Sequence, residues 1–258
     1  MKPKVWLIGG TQDSAKIAES LSTNDVSSIV SVVSQEARAL YNPDIQVLTG
    51  CMDRNQMQSF CRAQDITTII DASHPFAVEV SRSAIAIAKK LAIPYLRYER
   101  SKYLEPKAVR TNSSVLELPD LKTLLAKNYL ENQRVLLTLG CKTLPQFKPW
   151  QDKSRLYARV LPKIESLKIA IDAGFTSERL IAIRPPLNFA LEKALWQQWD
   201  ISLVVTKASG NPGGEDIKRQ AAADLNIPLI IINRPSVPYP RQTSLISDVL
   251  AFCRQGRG

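Results

Sequence analysis

The chain has 258 residues, a formal net charge of +10 and 45% hydrophobic residues, enough apolar material for one large or two modest globular domains. No run approaches the roughly 18 apolar residues of a membrane span, and the first strand follows the N-terminus directly, so we expect no secretory signal and a cytoplasmic protein. Four cysteines without CxxC spacing and a single histidine argue against a zinc site and predict free thiols.

The positive charge favours an anionic partner. Nucleic acid is one candidate, but the lysines and arginines are scattered and aromatic residues make up only 7% of the chain. We therefore expect an anionic small molecule as partner, no nucleic acid, no membrane, no bound metal and a monomeric protein.

Short β-rich runs alternate with helical patterns in the first hundred residues. Strands are predicted at 5–8, 29–33, 45–48, 67–71 and 94–97, and helices at 14–22, 57–61 and 78–91. This alternation predicts right-handed βαβ units and a parallel sheet.

The pattern changes after residue 100. The polar stretch 101–114 is predicted to be irregular or an edge strand, and 118–130 to be a helix joining two halves. Strands are then predicted at 134–139, 156–161, 180–183, 201–206 and 227–232, and helices at 164–173, 189–199, 214–225 and 245–253. We therefore predict an α/β protein with two Rossmann-like, doubly wound parallel-sheet domains, residues 1–125 and 126–258. Strand ends that face each other would form an interdomain cleft.

A glycine turn, Gly9-Gly10-Thr11, follows the first strand and precedes a helix. Glycine lets the backbone approach a phosphate there, and the helix N-terminus supplies N–H donors. The turn is neither GxGxxG nor a Walker loop, and a tight strand-to-helix turn requires glycine anyway. Cofactor binding and a purely structural turn both remain open.

The end of the second strand bears on cofactor choice. Ser34 with Arg38 nearby favours the 2′-phosphate of NADP, whereas an acidic residue would favour NAD. Glu36 keeps that preference open.

The only histidine, His74, follows a buried strand in Asp71-Ala72-Ser73-His74-Pro75. The carboxyl ends of parallel strands are where open sheets bind ligands. A lone histidine is more often structural, but this position favours a functional group. Pro75 is expected to open the next helix.

Arginines end the fifth predicted strand. Arg97 and Arg100 could clamp a carboxylate or phosphate, or form an exposed strand tip paired with Glu99. Tyr98 and Lys102 match the YxxxK pattern of short-chain dehydrogenases, but they follow a strand rather than lie on a helix, so we discount that pair.

A second cationic strand tip is Lys207, followed by Ser209, Gly210 and the rest of a loop rich in glycine and proline, Asn211-Pro212-Gly213-Gly214. A lysine beside such a loop is well placed to bind an anion, while the alternative is a solvated lysine on a surface turn.

Four segments together resemble the precorrin-6A reductase family of corrin-ring biosynthesis. They are LIGGT at 7–11, IDASHPFA at 70–77, YLRYER at 95–100, and VTKASG at 205–210 with its continuation through 234–235. The DASHPFA segment is the specific one. The chain departs from the family where Ser101 follows Arg100, at Ala208 and Asn211 around Ser209, and at the turn 139–142.

This resemblance implies reduction of one carbon–carbon double bond of precorrin-6A, or of its cobalt form, to the 6B form in cobalamin biosynthesis. NADPH, or NADH, would supply the hydride. The implied cofactor-binding residues are Gly9, Gly10, Thr11, Ser34, Arg38, Ser73 and His74. The implied substrate-binding residues are Arg97, Arg100, Lys207, Ser209 and Gly210. His74 and Lys207 are the catalytic candidates, and water is a third possible source of the proton.

The residues leave other functions open. A non-catalytic nucleotide- or anion-binding protein could be built on the same two folds, because fold does not determine function. Charge alone suggests a nucleic-acid-binding protein. The state of the ring metal, the choice of nicotinamide and the oligomeric state are not determined by the sequence.

Overall fold

The computed structural model describes residues 4–101 and 115–255. The chain divides into two units: unit 1 comprises residues 1–101 and 235–258, and unit 2 comprises residues 102–234. Within the described residues, no helix has the length and apolar character that a membrane crossing requires.

Unit 1 is a parallel sheet flanked by helices. Its described strands have the order β12-β5-β4-β1-β2-β3, so β1 lies between β2 and β4 and the strand order reverses there. The elements are β1 (Lys4–Ile8), α1 (Gln12–Thr23), β2 (Ser27–Val32), α2 (Gln35–Arg38), β3 (Val47–Thr49), α3 (Arg54–Ala63), β4 (Thr68–Asp71), α4 (Val78–Leu91), β5 (Tyr95–Tyr98), β12 (Gln242–Thr243) and α9 (Ile246–Gln255).

Local chemistry accounts for the boundaries of α1. Thr11 and Ser14 form a reciprocal capping box at its N-terminus. Ile17, Ala18 and Leu21 are fully buried at helical spacing, so one face of the helix packs on the sheet. This packing places the start of α1 directly beyond the carboxyl end of β1.

The C-terminal segment belongs to unit 1. Gln242 of β12 pairs with Arg97 of β5, and Val249 and Cys253 of α9 are fully buried in the unit's core. Burial raises the pKa of the Cys253 thiol to about 12, consistent with an inert core thiol. The observed units therefore differ from the expected ranges 1–125 and 126–258, because a distant segment completes the first sheet.

Unit 2 has the strand order β6-β11-β10-β7-β8-β9, again parallel, and reverses between β7 and β10. Its elements are β6 (Val115–Leu118), α5 (Leu121–Leu125), β7 (Arg134–Leu137), β8 (Arg155–Val160), α6 (Ile164–Asp172), β9 (Leu180–Ala182), α7 (Phe189–Gln198), β10 (Leu203–Lys207), α8 (Glu215–Leu225) and β11 (Leu229–Ile232). Short 3₁₀ helices span Asn128–Leu130, Cys141–Trp150, Ser177–Arg179 and Asn211–Gly213.

The single helix predicted at 118–130 is wrong. The structure has β6, then α5 capped by the Asp120 side chain, then a 3₁₀ turn. Pro119 separates the strand from the helix, because the residue before a proline avoids helical geometry. Of the stretch 101–114, residues 102–114 lie outside the described residues.

Candidate active site

The glycine turn after β1 is required by packing. A Cβ at Gly9 would lie 2.2 Å from the Tyr41 hydroxyl and 2.9 Å from Val30 Cγ1. Gly10 has φ +102°, which disfavours any L side chain. Among the described residues, only Ala37 Cβ, at 4.0 Å, lies within that distance of a Cβ built on Gly10, so this side of the turn is open to a ligand.

Two N–H donors of the turn already have partners. Gly10 N–H donates to the Tyr41 hydroxyl at 2.8 Å, and Thr11 N–H donates to Ser14 Oγ at 2.9 Å. Tyr41 also lies 2.6 Å from Ser14 Oγ, and burial raises the pKa of its hydroxyl, so it remains protonated. An anion at this turn would therefore meet the positive N-terminal end of α1 and the first-turn amides. The sequence reasoning missed Tyr41 because it lies in a loop without a motif.

Ser34 and Arg38 lie beyond the end of β2, the strand next to β1. Ser34 Oγ caps α2 through the Ala37 N–H, at 3.4 Å. Arg38 donates to the carbonyls of Tyr41 and Pro43 at 3.2 and 3.3 Å. Both residues therefore stabilise the segment that follows β2. They lie at the carboxyl end of that strand, the edge of the sheet where the sequence predicted them.

A buried carboxylate underlies the Ser73–His74 turn. Asp71, fully buried, accepts five hydrogen bonds: from Ser73 N–H and Oγ at 3.0 and 2.7 Å, Ser81 Oγ at 2.6 Å, the Tyr95 hydroxyl at 2.7 Å and Arg97 Nη1 at 2.9 Å. Burial raises the pKa of Tyr95, which keeps it a neutral donor. Because protein groups donate hydrogen bonds to both carboxylate oxygens of Asp71, the Ser73–His74 turn is held in a single geometry.

Arg97 differs from its expected role as a clamp for substrate. Its side chain is fully buried and pairs with Asp71 and with Glu99, at 3.1 Å, while Nη1 also donates to Ser73 Oγ at 3.1 Å. The ring of Tyr239, from the C-terminal segment, lies 5.2 Å from the guanidinium carbon. The Arg97 guanidinium is therefore engaged by protein groups, and it orients Ser73 and Asp71.

His74 is exposed, next to the buried Ser73. Its Nδ1 accepts the Phe76 N–H at 3.2 Å, so the neutral ring carries its proton on Nε2. Ala77 N–H donates to the His74 carbonyl at 2.8 Å and closes a turn. The expectation that Pro75 opens the helix is wrong, because α4 begins only at Val78.

Arg100 reaches from the end of β5 to α1, where it forms an ion pair with Asp13. The two side chains are only 13% and 17% exposed, so the pair is poorly screened. Thr11 Oγ1 donates to the Ala72 carbonyl at 3.1 Å close by. A small cavity at this point is lined by Thr11, Asp13, Ala72, Ser73, Pro75, Arg97, Tyr98, Glu99 and Arg100.

The structure thus gathers the glycine turn, Ser73 and Arg100 at the β1/β4 reversal of unit 1. Tyr98, by contrast, lies on β5. A YxxxK catalytic pair would require it to lie on a helix, and we discounted that pair for this reason. Its partner in that motif, Lys102, lies outside the described residues.

In unit 2, Lys207 is the last residue of β10 and Ser209 is buried two residues later. Burial lowers the pKa of Lys207, and the thiol of Cys141 partly offsets that shift. Gly210 has φ +68°, and its N–H donates to Glu215 Oε2 at 2.8 Å. Gly210 therefore serves the loop conformation, since its N–H already has an acceptor.

Within the described residues, no group of three His, Cys, Asp or Glu side chains could hold a metal ion. All four cysteines lie in described residues and are free thiols.

The doubly wound sheet and the glycine turn at its reversal place unit 1 in the class of Rossmann-like, dinucleotide-binding folds. The chain belongs to the family described as precorrin-6x reductase CbiJ/CobK, whose model matches residues 4–254. The expected family, the two Rossmann-like parallel-sheet folds and the reductase class are thereby confirmed.

Several relatives resemble the chain over nearly its whole length. It is 44% identical to a cobalt-precorrin-6A reductase of Synechocystis sp., over 97% of this chain and 96% of that protein. It is 31% identical to a protein of the same name from Priestia megaterium, over 95% and 96%. A solved structure titled CobK precorrin-6A reductase has a TM-score of 0.79 at 20% sequence identity. The match covers 99% of this chain and 98% of that chain, and it supports the fold.

Proposed function

We propose that this protein uses a reduced nicotinamide dinucleotide to reduce one carbon–carbon double bond of cobalt-precorrin-6A. The observation that carries the proposal is the convergence of the open glycine turn, Ser73 and His74 at the β1/β4 reversal of a chain from a reductase family. Relatives with 44%, 31% and 30% identity are named cobalt-precorrin-6A reductases, and those named precorrin-6A reductases have 29% and 25%, which favours the cobalt-containing ring.

The residues of the glycine turn fit a dinucleotide. The open side of Gly10 admits a close approach to the backbone, and the N-terminal end of α1 favours the pyrophosphate. Bound there, a reduced nicotinamide supplies the hydride. Ser34 and Arg38 provide a hydroxyl and a guanidinium at the tip of β2 for a 2′-phosphate, so we propose NADPH as the preferred donor.

The substrate is a macrocycle fringed with carboxylates, which cationic groups recognise. In unit 1, Arg100 can offer its guanidinium to a carboxylate in exchange for Asp13. In unit 2, Lys207 and Ser209 are proposed to bind other carboxylates. The overall charge of +10 would speed encounter with such an anion.

The reduction also requires a proton at the carbon next to the hydride acceptor. His74 is the proposed donor, because its ring is exposed beside Ser73 at the end of β4. The imidazolium form would give up one proton and return to the neutral ring, whose Nδ1 can accept the Phe76 N–H. Lys207 is the alternative, since burial moves its pKa toward neutrality. His74→Gln should lower kcat, whereas Lys207→Met should raise KM for the macrocycle. Loss of turnover with unchanged substrate affinity in Lys207→Met would assign the proton to the lysine instead.

The test of the proposed function is a turnover assay with cobalt-loaded and metal-free ring, each with NADPH and NADH. We expect loss of the near-ultraviolet absorbance of NADPH with the cobalt ring, and slower reaction in the other combinations. No oxidation of either nicotinamide with either ring would refute the proposal. We further propose a cytoplasmic monomer, which light scattering of the purified protein and cell fractionation would test.

A further inference from the structure

The loop between β10 and α8, residues 208–214, has little freedom to vary; we call it the glycine loop. Gly210 and Gly214 have φ +68° and +69°. A Cβ added at Gly213 would lie 2.1 Å from Ser209 Oγ, so a side chain has no room there. The glycine loop is therefore built for one compact conformation.

Glu215 binds the beginning of the glycine loop. Its Oε2 accepts the Gly210 N–H at 2.8 Å, and its Oε1 accepts from Arg219 at 3.2 and 3.1 Å. Arg219 also donates to Glu117 of β6 at 2.9 Å. Glu215 is only 3% exposed, so this carboxylate connects the loop, through a buried arginine, to a neighbouring strand.

Lys218, one turn further along α8, binds the end of the glycine loop. Its Nζ donates to the carbonyls of Gly213 and Gly214, both at 2.9 Å. The side chain is 3% exposed and lies near the buried ion pair of Arg159 and Glu192. Two loop carbonyls thus converge on one buried ammonium group.

A buried ammonium group is costly to maintain. Burial, together with Arg159, lowers the pKa of Lys218 to about 8, which shows that its charged form is disfavoured there. A methionine would fill a similar volume without that cost. The charge is therefore retained in contact with carbonyls of a loop that carries proposed binding residues, which points to a requirement for loop geometry.

We infer that Lys218 and Glu215 are positioning residues that hold the glycine loop in the conformation that binds the carboxylates of the substrate. The inference rests on the proposed function, because Ser209 belongs to this loop and Lys207 precedes it. A loop ordered before binding loses less conformational entropy when the substrate arrives. The two residues should therefore lower KM for the macrocycle and leave nicotinamide binding unchanged.

Lys218→Met in the full-length protein tests this inference, with Lys168→Met as the control because the Lys168 side chain is 72% exposed. The first measurement is amide hydrogen exchange of residues 208–214 without ligands, and the second is KM for each substrate. We expect exchange in the loop, and KM for the macrocycle, to rise about tenfold in Lys218→Met, with KM for NADPH unchanged. Lys218→Arg keeps a positive charge, so its loop exchange and its KM for the macrocycle should lie between those of Lys218→Met and the wild type. Lys168→Met should resemble the wild type.

Unchanged loop exchange in Lys218→Met, or an equal rise throughout unit 2, would overturn the inference. If that variant does not fold, Glu215→Gln decides: it keeps an oxygen for the Gly210 N–H but removes the charge that holds Arg219. We expect a smaller increase in loop exchange there, and no increase would count equally against the inference. Hydrogen exchange needs no substrate, so absence of turnover in the wild type would refute the proposed function and leave the loop result standing.

Discussion

At the scale of the residue, Asp71 and Arg97 form a buried ion pair that stabilises the turn containing Ser73 and His74. Both side chains are fully buried, and both contact Ser73. Removal of one partner would leave the other charge buried and unpaired, which costs about 3–5 kcal/mol. The exposed His74 next to them can therefore be replaced without that penalty.

Gly10→Val tests the open side of the glycine turn. Valine at φ +102° is strained, and its side chain would occupy the space through which a pyrophosphate approaches. We expect NADPH affinity, measured by fluorescence titration, to fall at least about tenfold. Gly174→Val, at φ +91° in unit 2, imposes comparable strain and should leave that affinity unchanged. Equal losses in both variants would contradict the placement of the pyrophosphate.

Asp13→Asn tests the anion site at the start of α1. The Asp13 carboxylate lies in the first helical turn and pairs with Arg100. Its removal eliminates repulsion of a pyrophosphate, so NADPH should bind about three- to tenfold more tightly. The gain should shrink at high salt. Asp44→Asn, an equal charge change at an exposed site of unit 1, is the control, and weaker binding in Asp13→Asn would contradict the assignment.

Lys218 should also shape the pH dependence of stability. Its folded pKa of about 8 is lower than its ordinary 10.5, so the unfolded chain binds more protons between those values. Its contribution to the free energy of unfolding therefore rises from about pH 8 to 10.5, by about 3 kcal/mol, and is constant below that window. The groups facing it are Arg159 of β8, Glu192 of α7, and Glu215 and Asp216 of α8.

The measurement is the difference in unfolding free energy between wild type and Lys218→Met across this pH range, in which the other titrating groups largely cancel. A difference that stays flat, or falls as the pH rises, would show that burial does not lower the pKa of Lys218.

At the scale of the element, α9 is joined to unit 1 by its apolar face. Val249 is fully buried against that core. Val249→Ala should lower the free energy of unfolding by about 2 kcal/mol, because it removes two buried methyl groups and leaves a cavity. Val33→Ala, at a position that is 69% exposed, is the matched control and should change stability little. Denaturant unfolding would measure both, and equal effects would contradict the role of α9.

The spacing of apolar residues predicted most of the strands and helices of the two units, but it did not predict which strands pair with each other. The runs at Val5–Ile8 and 67–71 are apolar and β-branched, which identifies strands locally. The two residues of β12 carry no such signal, and their pairing with β5 depends on contacts between positions far apart in the chain. The same limit applies to β6 (Val115–Leu118), of which only Leu118 fell within a predicted element, the helix at 118–130.

At the scale of the whole molecule, the division into units predicts how fragments behave. A fragment of residues 1–125 contains most of unit 1 but lacks β12 and α9, which cover β5 and α1. We expect it to expose apolar core and to unfold without cooperativity, in contrast to the full chain. Calorimetry would test this, and a sharp, native-like transition in the fragment would contradict the observed division.

The sequence by itself determined the fold class, the family and the strand tips that carry the proposed ligand-binding groups, because a strand, a glycine turn and a helix follow one another within a few residues. Tertiary structure alone decided which charged side chains are exposed and which are buried or paired within the protein. Arg97 is buried under a segment from the C-terminus, Arg100 is paired with Asp13, and Lys218 is aimed at loop carbonyls. Burial and pairing depend on residues distant in the chain, so no local pattern could reveal them.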